Sequence, residues 1–273
     1  MADHPFSDNP SDPSNLSARH HAYVGQLKRA GQIRTAPVEA AFRAVPRHLF
    51  VPGFPLDHVY SDRAVNIKPG ASSSQPAVYA MMLEQLQLAP GHRVLEIGAG
   101  TGYNAAMLAS LVGESGQVIT IDIDEELAAS AREHLAAAGF GHVRVLCGDG
   151  SLGCPDAAPY DRIIVTVGAW DIAPAWREQL APHGRLLVPL AILGPSHQVT
   201  VAFEPADDHL ESVSISPCVF MMSQGAIAGP SGPPRSLEEI RIRAYPQEAE
   251  PAPPADEVVL QKRWTRLVMS AWP

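Results

Sequence analysis

The chain has 273 residues, 46% hydrophobic and 18% charged, which is enough apolar material for one large α/β domain with extensions or for two small domains. A net charge of −9 without a basic run argues against a nucleic-acid backbone as the main partner. The start lacks a basic segment ahead of an apolar core, and the longest apolar run, residues 186–193, is far too short to span a bilayer, so neither a signal peptide nor a membrane span is expected. Cys147, Cys154 and Cys218 form no C-x-x-C and fit reduced thiols in a cytoplasmic protein. The eleven histidines include one adjacent pair, His20-His21, and no H-E-x-x-H, so no metal site is expected.

Residues 1–15 are a short polar tract of Pro, Ser, Asp and Asn that reads as a disordered arm. An amphipathic pattern over residues 16–30 places Leu16, Tyr23, Val24 and Leu27 on one face, and Pro37 opens a second short helix through Phe42. Prolines at 46 and 52 bracket a stretch expected to be extended or turned. Tyr60-Ser61-Asp62 and Ser72-Ser73-Ser74-Gln75 precede an apolar helix running from Pro76 to Leu88. These pieces make residues 16–88 an N-terminal helical region.

Residues 94–97, 118–122, 143–147 and 160–167 read as buried strands, with another over 185–189 after a turn at Gly184. Helical patterns fall between them: from Ala105 to Leu111, from Glu125 to Ala138 and from Ala175 to Leu180. Strands alternating with helices at this spacing predict a doubly wound, mostly parallel, Rossmann-like α/β sheet over residues 89–225. Two later strands, residues 198–203 and 211–219, are separated by a short turn and suit an antiparallel pair at one edge. Residues 226–256 form a Pro-rich linker, and residues 258–272, with Trp264 and Trp272, form an apolar segment expected to dock. Residues 226–273 are thus a C-terminal extension.

The glycine-rich stretch Glu96-Ile97-Gly98-Ala99-Gly100-Thr101-Gly102-Tyr103 ends the first of these strands. It fails the G-x-G-x-x-G dinucleotide fingerprint, whose last position would be Tyr103. An acid, one spacer and three alternating glycines instead resemble motif I of S-adenosylmethionine-dependent methyltransferases. In a doubly wound sheet, ligands sit beyond the C-terminal strand ends where strand order reverses. Four predicted ends carry suitable groups: Glu96 with the loop, Asp122 followed by Ile123, Asp149 followed by Gly150, and Thr166. Asp122 stands where a carboxylate would grip ribose hydroxyls, and Asp149 could accept from an adenine amino group. Taken singly, each also reads as a helix N-cap.

Residues 45–225 resemble the protein-L-isoaspartate (D-aspartate) O-methyltransferase family. The resemblance rests on Val45-Pro46-Arg47, Phe50-Val51-Pro52, Tyr60-Ser61-Asp62, Ser74-Gln75-Pro76, the glycine loop with Tyr103, Gly148-Asp149-Gly150, Tyr160-Asp161 with Ile163-Ile164-Val165-Thr166, and Gly184-Arg185-Leu186 with Val188-Pro189. It implies a class I methyltransferase fold and S-adenosyl-L-methionine as cofactor. The cofactor would be held by Glu96, Gly98, Ala99, Gly100, Thr101, Gly102, Tyr103, Asp122, Ile123, Asp149 and Gly150. Ser74 would lie beside the transferred methyl, with Ser73, Gln75, Thr166 and Trp170 toward a peptide or protein bearing Asp or isoAsp. Ser72-Ser73, the stretch Gly168-Ala169-Trp170-Asp171 and the long tail depart from the repair-enzyme pattern. They resemble the actinobacterial branch that modifies ribosomally made lanthipeptide, lasso or graspetide precursors. That resemblance favours methylation of one specific Asp, leading to aspartimide or isoaspartate, with general isoaspartate repair as the alternative.

Overall fold

In a computed structural model of the chain, the residues described are 13–228, apart from 193, 194 and 208. Of the arm expected over residues 1–15, the first twelve lie outside them, as do most of the linker and the docking segment 258–272, while residues 13–15 belong to a helix.

The N-terminal layer begins with helix α1 (Pro13–Arg29), three residues ahead of the start read from the amphipathic pattern, and continues with α2 (Ala36–Ala44). The proline-bracketed stretch expected to be extended or turned contains a 3₁₀ turn over Arg47–Phe50. Its cause is tertiary, because the buried Arg47 and Phe50 both point inward there. A one-turn helix, α3 (Leu56–Val59), and a small antiparallel hairpin, β1 (Val65–Lys68) with β2 (Ala71–Ser73), follow. Neither α3 nor the hairpin has a sequence period long enough to announce it. Helix α4 (Pro76–Leu86) then leads into the main sheet.

The main sheet has seven strands. Five are parallel: β3 (Arg93–Ile97), β4 (Gln117–Asp122), β5 (Arg144–Cys147), β6 (Tyr160–Val165) and β7 (Leu180–Ala191). Two more, β8 (Gln198–Ala206) and β9 (His209–Cys218), extend it antiparallel from β7, as the short turn between them requires. The spatial order is β5-β4-β3-β6-β7-β8-β9, so the direction of winding reverses between β3 and β6. The C-terminal ends of those two strands therefore open the crevice where a doubly wound sheet binds ligands. Strand β7 runs through the turn expected at Gly184: Tyr160 pairs with Leu180 and Arg162 with Arg185, so the extra residues form a bulge.

Period-two alternation sorts the strand side chains into two cores. Val94, Val118 and Val145 face α1, α2, α4, α5 (Tyr103–Val112) and α6 (Glu125–Ala137), packing with Phe42, Leu83, Met107 and Leu135. Leu95, Ile119, Ile163 and Leu186 face the other side, with Tyr160 and the fully buried Trp176 of the short α7 (Pro174–Glu178). One face thus carries five helices and the other little more than one helical turn. Among the described residues, no helix is long and apolar enough to cross a membrane.

Candidate active site

At the reversal between β3 and β6 lies a cleft of about 390 Å³, within the roughly 300–1,000 Å³ usual for small-molecule sites. One wall is the glycine loop, and its three glycines do different things. Gly98 (φ +102°) is pressed against β6, because a Cβ there would sit 2.4 Å from Thr166 Oγ1. Gly102 (φ +83°) packs on α6, with a Cβ only 3.1 Å from Leu135 Cγ. Gly100 (φ +52°) has nothing within 4 Å of a Cβ placed there and lines the cleft, so it presents bare backbone to the opening.

Asp122 ends β4 beneath that loop. Its Oδ2 accepts from Gly100 N at 2.8 Å and its Oδ1 from Asp124 N at 3.0 Å. Burial raises its carboxyl above the ordinary range, and the two amide donors oppose the shift. The N-cap of α6 is Asp124, which accepts from Glu126 N and Leu127 N, so Asp122 is left to face the cleft. Asp149 combines both readings of its position. Oδ1 caps the following turn by accepting from Ser151 N at 2.9 Å, while the residue also lines the cleft. Its Oδ2 accepts from Ala226 N at 2.8 Å. Burial would raise Asp149, but these bonds outweigh it and hold the carboxyl below its usual value. Gly150 must be glycine because a Cβ would meet Ile97 Cγ2 at 2.5 Å.

The opposite wall comes from the hairpin and the start of α4. Ser74 lines the cleft, and its hydroxyl has no hydrogen bond among the described residues. Its amide donates to Tyr79 Oη at 3.0 Å and its carbonyl accepts from Arg47 Nη2 at 3.0 Å. Gln75 also lines the cleft, and its Nε2 is tied to Asp62 Oδ2 at 2.9 Å. Thr166 closes the floor, its hydroxyl 2.7 Å from Gly98 O and 3.0 Å from Ile97 O.

Five residues expected at the site do not line the cleft. Glu96 is fully buried on the helix side of β3, where it accepts from Asn104 Nδ2 (2.7 Å) and Thr120 Oγ1 (2.6 Å). Strand alternation turns it away from the rim, and burial pushes its carboxyl up to about 7. Gly102 is taken up by packing against α6. Tyr103 is a buried core ring, 5.5 Å from Phe50 and 5.3 Å from Tyr79 between ring centres. Ser73 is buried with its hydroxyl 3.4 Å from Tyr79 Oη, since β2 points alternate residues inward. Trp170 follows the bridge that Ala169 makes with Leu190 and is not among the residues that line the cleft.

Several lining residues went unread in the sequence. Asn104 presents a buried Oδ1 without a partner. Lys68 binds Asp124 and Glu126 at the N-terminus of α6, which ties the hairpin to the glycine-loop side. After β9, residues 219–226 fold back as a strap: Gly168 N donates to Met221 O and Ser223 N to Gly168 O, both at 2.8 Å. Ile123, Val219 and Met221 are 43%, 51% and 42% exposed, and all three line the cleft. Open apolar walls beside a free backbone and an orphaned amide oxygen suit a ligand with an adenosine-like planar group and polar edges. Among the described residues, no cluster of three or more His, Cys, Asp or Glu could hold a metal ion.

A parallel sheet that reverses at a glycine loop lacking the dinucleotide fingerprint, has a carboxylate ending the neighbouring strand and carries an antiparallel edge is the arrangement of the class I S-adenosylmethionine-dependent methyltransferases. A solved protein-L-isoaspartate O-methyltransferase superposes with a TM-score of 0.71 at 32% identity, covering 77% of this chain and 67% of its own. A Plasmodium falciparum beta-aspartate methyltransferase (PCMT), solved with S-adenosyl-L-homocysteine, shares the fold at 20% identity and a TM-score of 0.64, over 74% of this chain and 97% of its own. Residues 18–225 match the family model for protein-L-isoaspartate(D-aspartate) O-methyltransferase (PCMT), and the chain belongs to that family. The Methanopyrus kandleri protein-L-isoaspartate O-methyltransferase is 46% identical over 168 residues, 61% of this chain and 74% of the relative. That of Roseiflexus castenholzii is 46% identical over 199 residues, 72% and 88% respectively. The chain is thus an S-adenosylmethionine-dependent methyltransferase of the isoaspartate type.

Proposed function

We propose that the protein is a repair-type enzyme that methylates the free carboxylate of isoaspartyl residues in proteins and peptides. The observation that carries this reading is the extent of the family match. Residues 18–225 take in the N-terminal layer, Arg47, the hairpin and Ser74 as well as the glycine loop. The relatives named above carry the isoaspartate name at 46% identity.

When bound, S-adenosylmethionine supplies a methyl group on a positively charged sulfur. Asp122 would hold the ribose hydroxyls, Gly100 would admit the cofactor against bare backbone, and Ile123 would cover the adenine. Asp149 has lone pairs left for the adenine amino group beyond its two amide bonds. The Ser74 hydroxyl would orient the acceptor carboxylate. A carboxylate is ionised at neutral pH, with an ordinary pKa of about 4, so no general base is needed. The residues around the cleft act by alignment and by excluding water. In the methyl ester methoxide leaves far more readily than oxide would from the carboxylate, so the next backbone nitrogen can attack the ester carbonyl and close a succinimide with loss of methanol, without further help from the protein.

The peptide-tailoring reading rested on three departures of the sequence. Of these, most of the tail lies outside the described residues, and among the others Ser73 is buried, Trp170 does not line the cleft and Ser72 does. The relatives therefore support repair more strongly than tailoring.

The test offers the enzyme two peptides that differ only in isoaspartate against aspartate, with methyl incorporation read by mass spectrometry. Turnover of the isoaspartyl peptide alone is expected. Preference for the aspartyl peptide would favour tailoring of a normal residue, and turnover of neither would defeat the reading. Ser74→Ala should lower methylation while leaving cofactor affinity within about twofold, because its hydroxyl is assigned to the acceptor side.

A further inference from the structure

Arg47 is among the largest fully buried side chains in the molecule, and among the described residues it makes no ion pair. Its guanidinium binds only carbonyls. Nη1 donates to Val59 O (3.1 Å) and Ser61 O (3.4 Å), and Nη2 to Arg63 O (3.1 Å), Ser73 O (3.5 Å) and Ser74 O (3.0 Å). Nε has no partner. Asp62, inside the segment that Arg47 binds, directs its oxygens to Gln75 Nε2, Ala77 N and Gln32 Nε2 instead. Neutral carbonyls satisfy donors but do not cancel charge, and a buried cation without a counter-ion is unfavourable. The bonds tie two segments together, residues 59–63 and the main chain of Ser73-Ser74, and the Ser74 amide donates on its other side to Tyr79 Oη at 3.0 Å.

We propose that Arg47 is the positioning residue of the acceptor side, fixing the Ser74 loop by its carbonyl and placing a permanent positive charge beneath the point where the substrate carboxylate binds. The inference rests on the reading of Ser74 as the acceptor-side residue. It separates two contributions. The planar fork holds several carbonyls at once, which a lysine cannot reproduce. The charge attracts an anionic acceptor, which a lysine partly retains and a methionine does not.

The experiment uses the full chain carrying Arg47→Lys, Arg47→Met or Tyr79→Phe. Circular dichroism and cofactor calorimetry establish folding, hydrogen exchange reports on residues 71–78, and an isoaspartyl peptide gives KM and kcat. Arg47→Lys should speed exchange of the Ser74 loop and lower kcat/KM about tenfold, with cofactor Kd within twofold. Arg47→Met should lower kcat/KM about a hundredfold, chiefly through KM. Tyr79→Phe should loosen the loop and lower kcat, leaving KM nearly unchanged because the charge remains. Should Arg47→Met fail to fold, Arg47→Lys decides. Unaltered exchange of the loop in folded Arg47→Lys overturns the clamp whatever the substrate proves to be. A kcat/KM within twofold of wild type in that variant overturns the role in catalysis. Absence of isoaspartyl turnover by the wild-type enzyme would instead strike the functional reading and leave the exchange result standing.

Discussion

The glycine-loop wall of the cleft is made from one unbroken stretch, residues 94–104, and the ends of the adjoining strands β4 and β6. The Ser74 wall is assembled from distant segments: Arg47 reaches 27 residues to Ser74, and the strap arrives from beyond β9. The first wall is held by main-chain geometry, the second by side chains that bridge loops. Errors in the first should therefore act on backbone strain and cofactor affinity together. Errors in the second should act on the acceptor and spare the cofactor.

The largest effect should come from Gly98→Ala. The new methyl would sit 2.4 Å from Thr166 Oγ1 on a residue already at φ +102°, and the strain and overpacking together should cost about 2–5 kcal/mol. Gly100→Ala adds a methyl to open space at φ +52° and should cost only about 1 kcal/mol of stability. Thermal melts with and without cofactor compare the two. Gly98→Ala should lose stability in both melts, whereas Gly100→Ala should lose mainly the cofactor's stabilising shift. Equal melting temperatures without cofactor would show that the loop does not depend on its packing against β6.

Next is Glu96→Gln, which probes the polar cluster beneath the same wall. Burial raises the Glu96 carboxyl from 4.5 to about 7, so the folded chain retains a proton that the unfolded chain releases. Stability contributed by this group therefore falls as pH rises from about 4.5 to 7, by up to about 3 kcal/mol. Glutamine removes the titration while keeping an oxygen to accept from Asn104 or Thr120. The melting temperature of the variant relative to wild type should thus climb between pH 5 and pH 8. A difference that stays flat with pH would show that Glu96 does not change charge in that window.

Asp122→Ala should act on affinity. Removing charge-assisted bonds to the ribose should weaken S-adenosylmethionine about ten- to a hundredfold, the equivalent of roughly 1.5–3 kcal/mol. Calorimetry measures it directly. An unchanged Kd would mean that Asp122 serves the loop alone, through Gly100 N.

How much of this was legible follows from how each wall is built. The parallel strands, the three glycines, Asp122 and Asp149 announce themselves because apolar runs and punctuating glycines are local. Side-chain direction was not legible one residue at a time: Glu96 and Ser73 point away from the cleft, and Tyr103 packs in the core. The hairpin, the Arg47 clamp and the strap were invisible because nothing local marks a bond between Arg47 and Ser74, or between Ala226 and Asp149. Arg47 was legible only as part of the Val45-Pro46-Arg47 motif, which gives no sign of what the guanidinium binds.

The smallest effect expected is at the seam between the walls. Gly225 adopts φ +79°, and a Cβ there would lie 2.6 Å from Asp149 Oδ2, the atom that accepts from Ala226 N. Gly225→Ala should therefore lift the strap from Asp149. Residues 224–226 at the end of the strap are exposed, while Phe220 and Ser223 are buried and anchored to Gln198 and Gly168, so the end can lift without disturbing the sheet. The melting temperature should remain close to wild type. Cofactor affinity should fall about two- to fivefold, the equivalent of ~0.5–1 kcal/mol, because Met221, Met222 and Ser223 line the same cleft as Asp149. A drop of a hundredfold would place the strap with the glycine loop as an integral part of the cofactor wall. No change in Kd would assign it wholly to the acceptor side, where its loss should appear in KM for the isoaspartyl peptide alone.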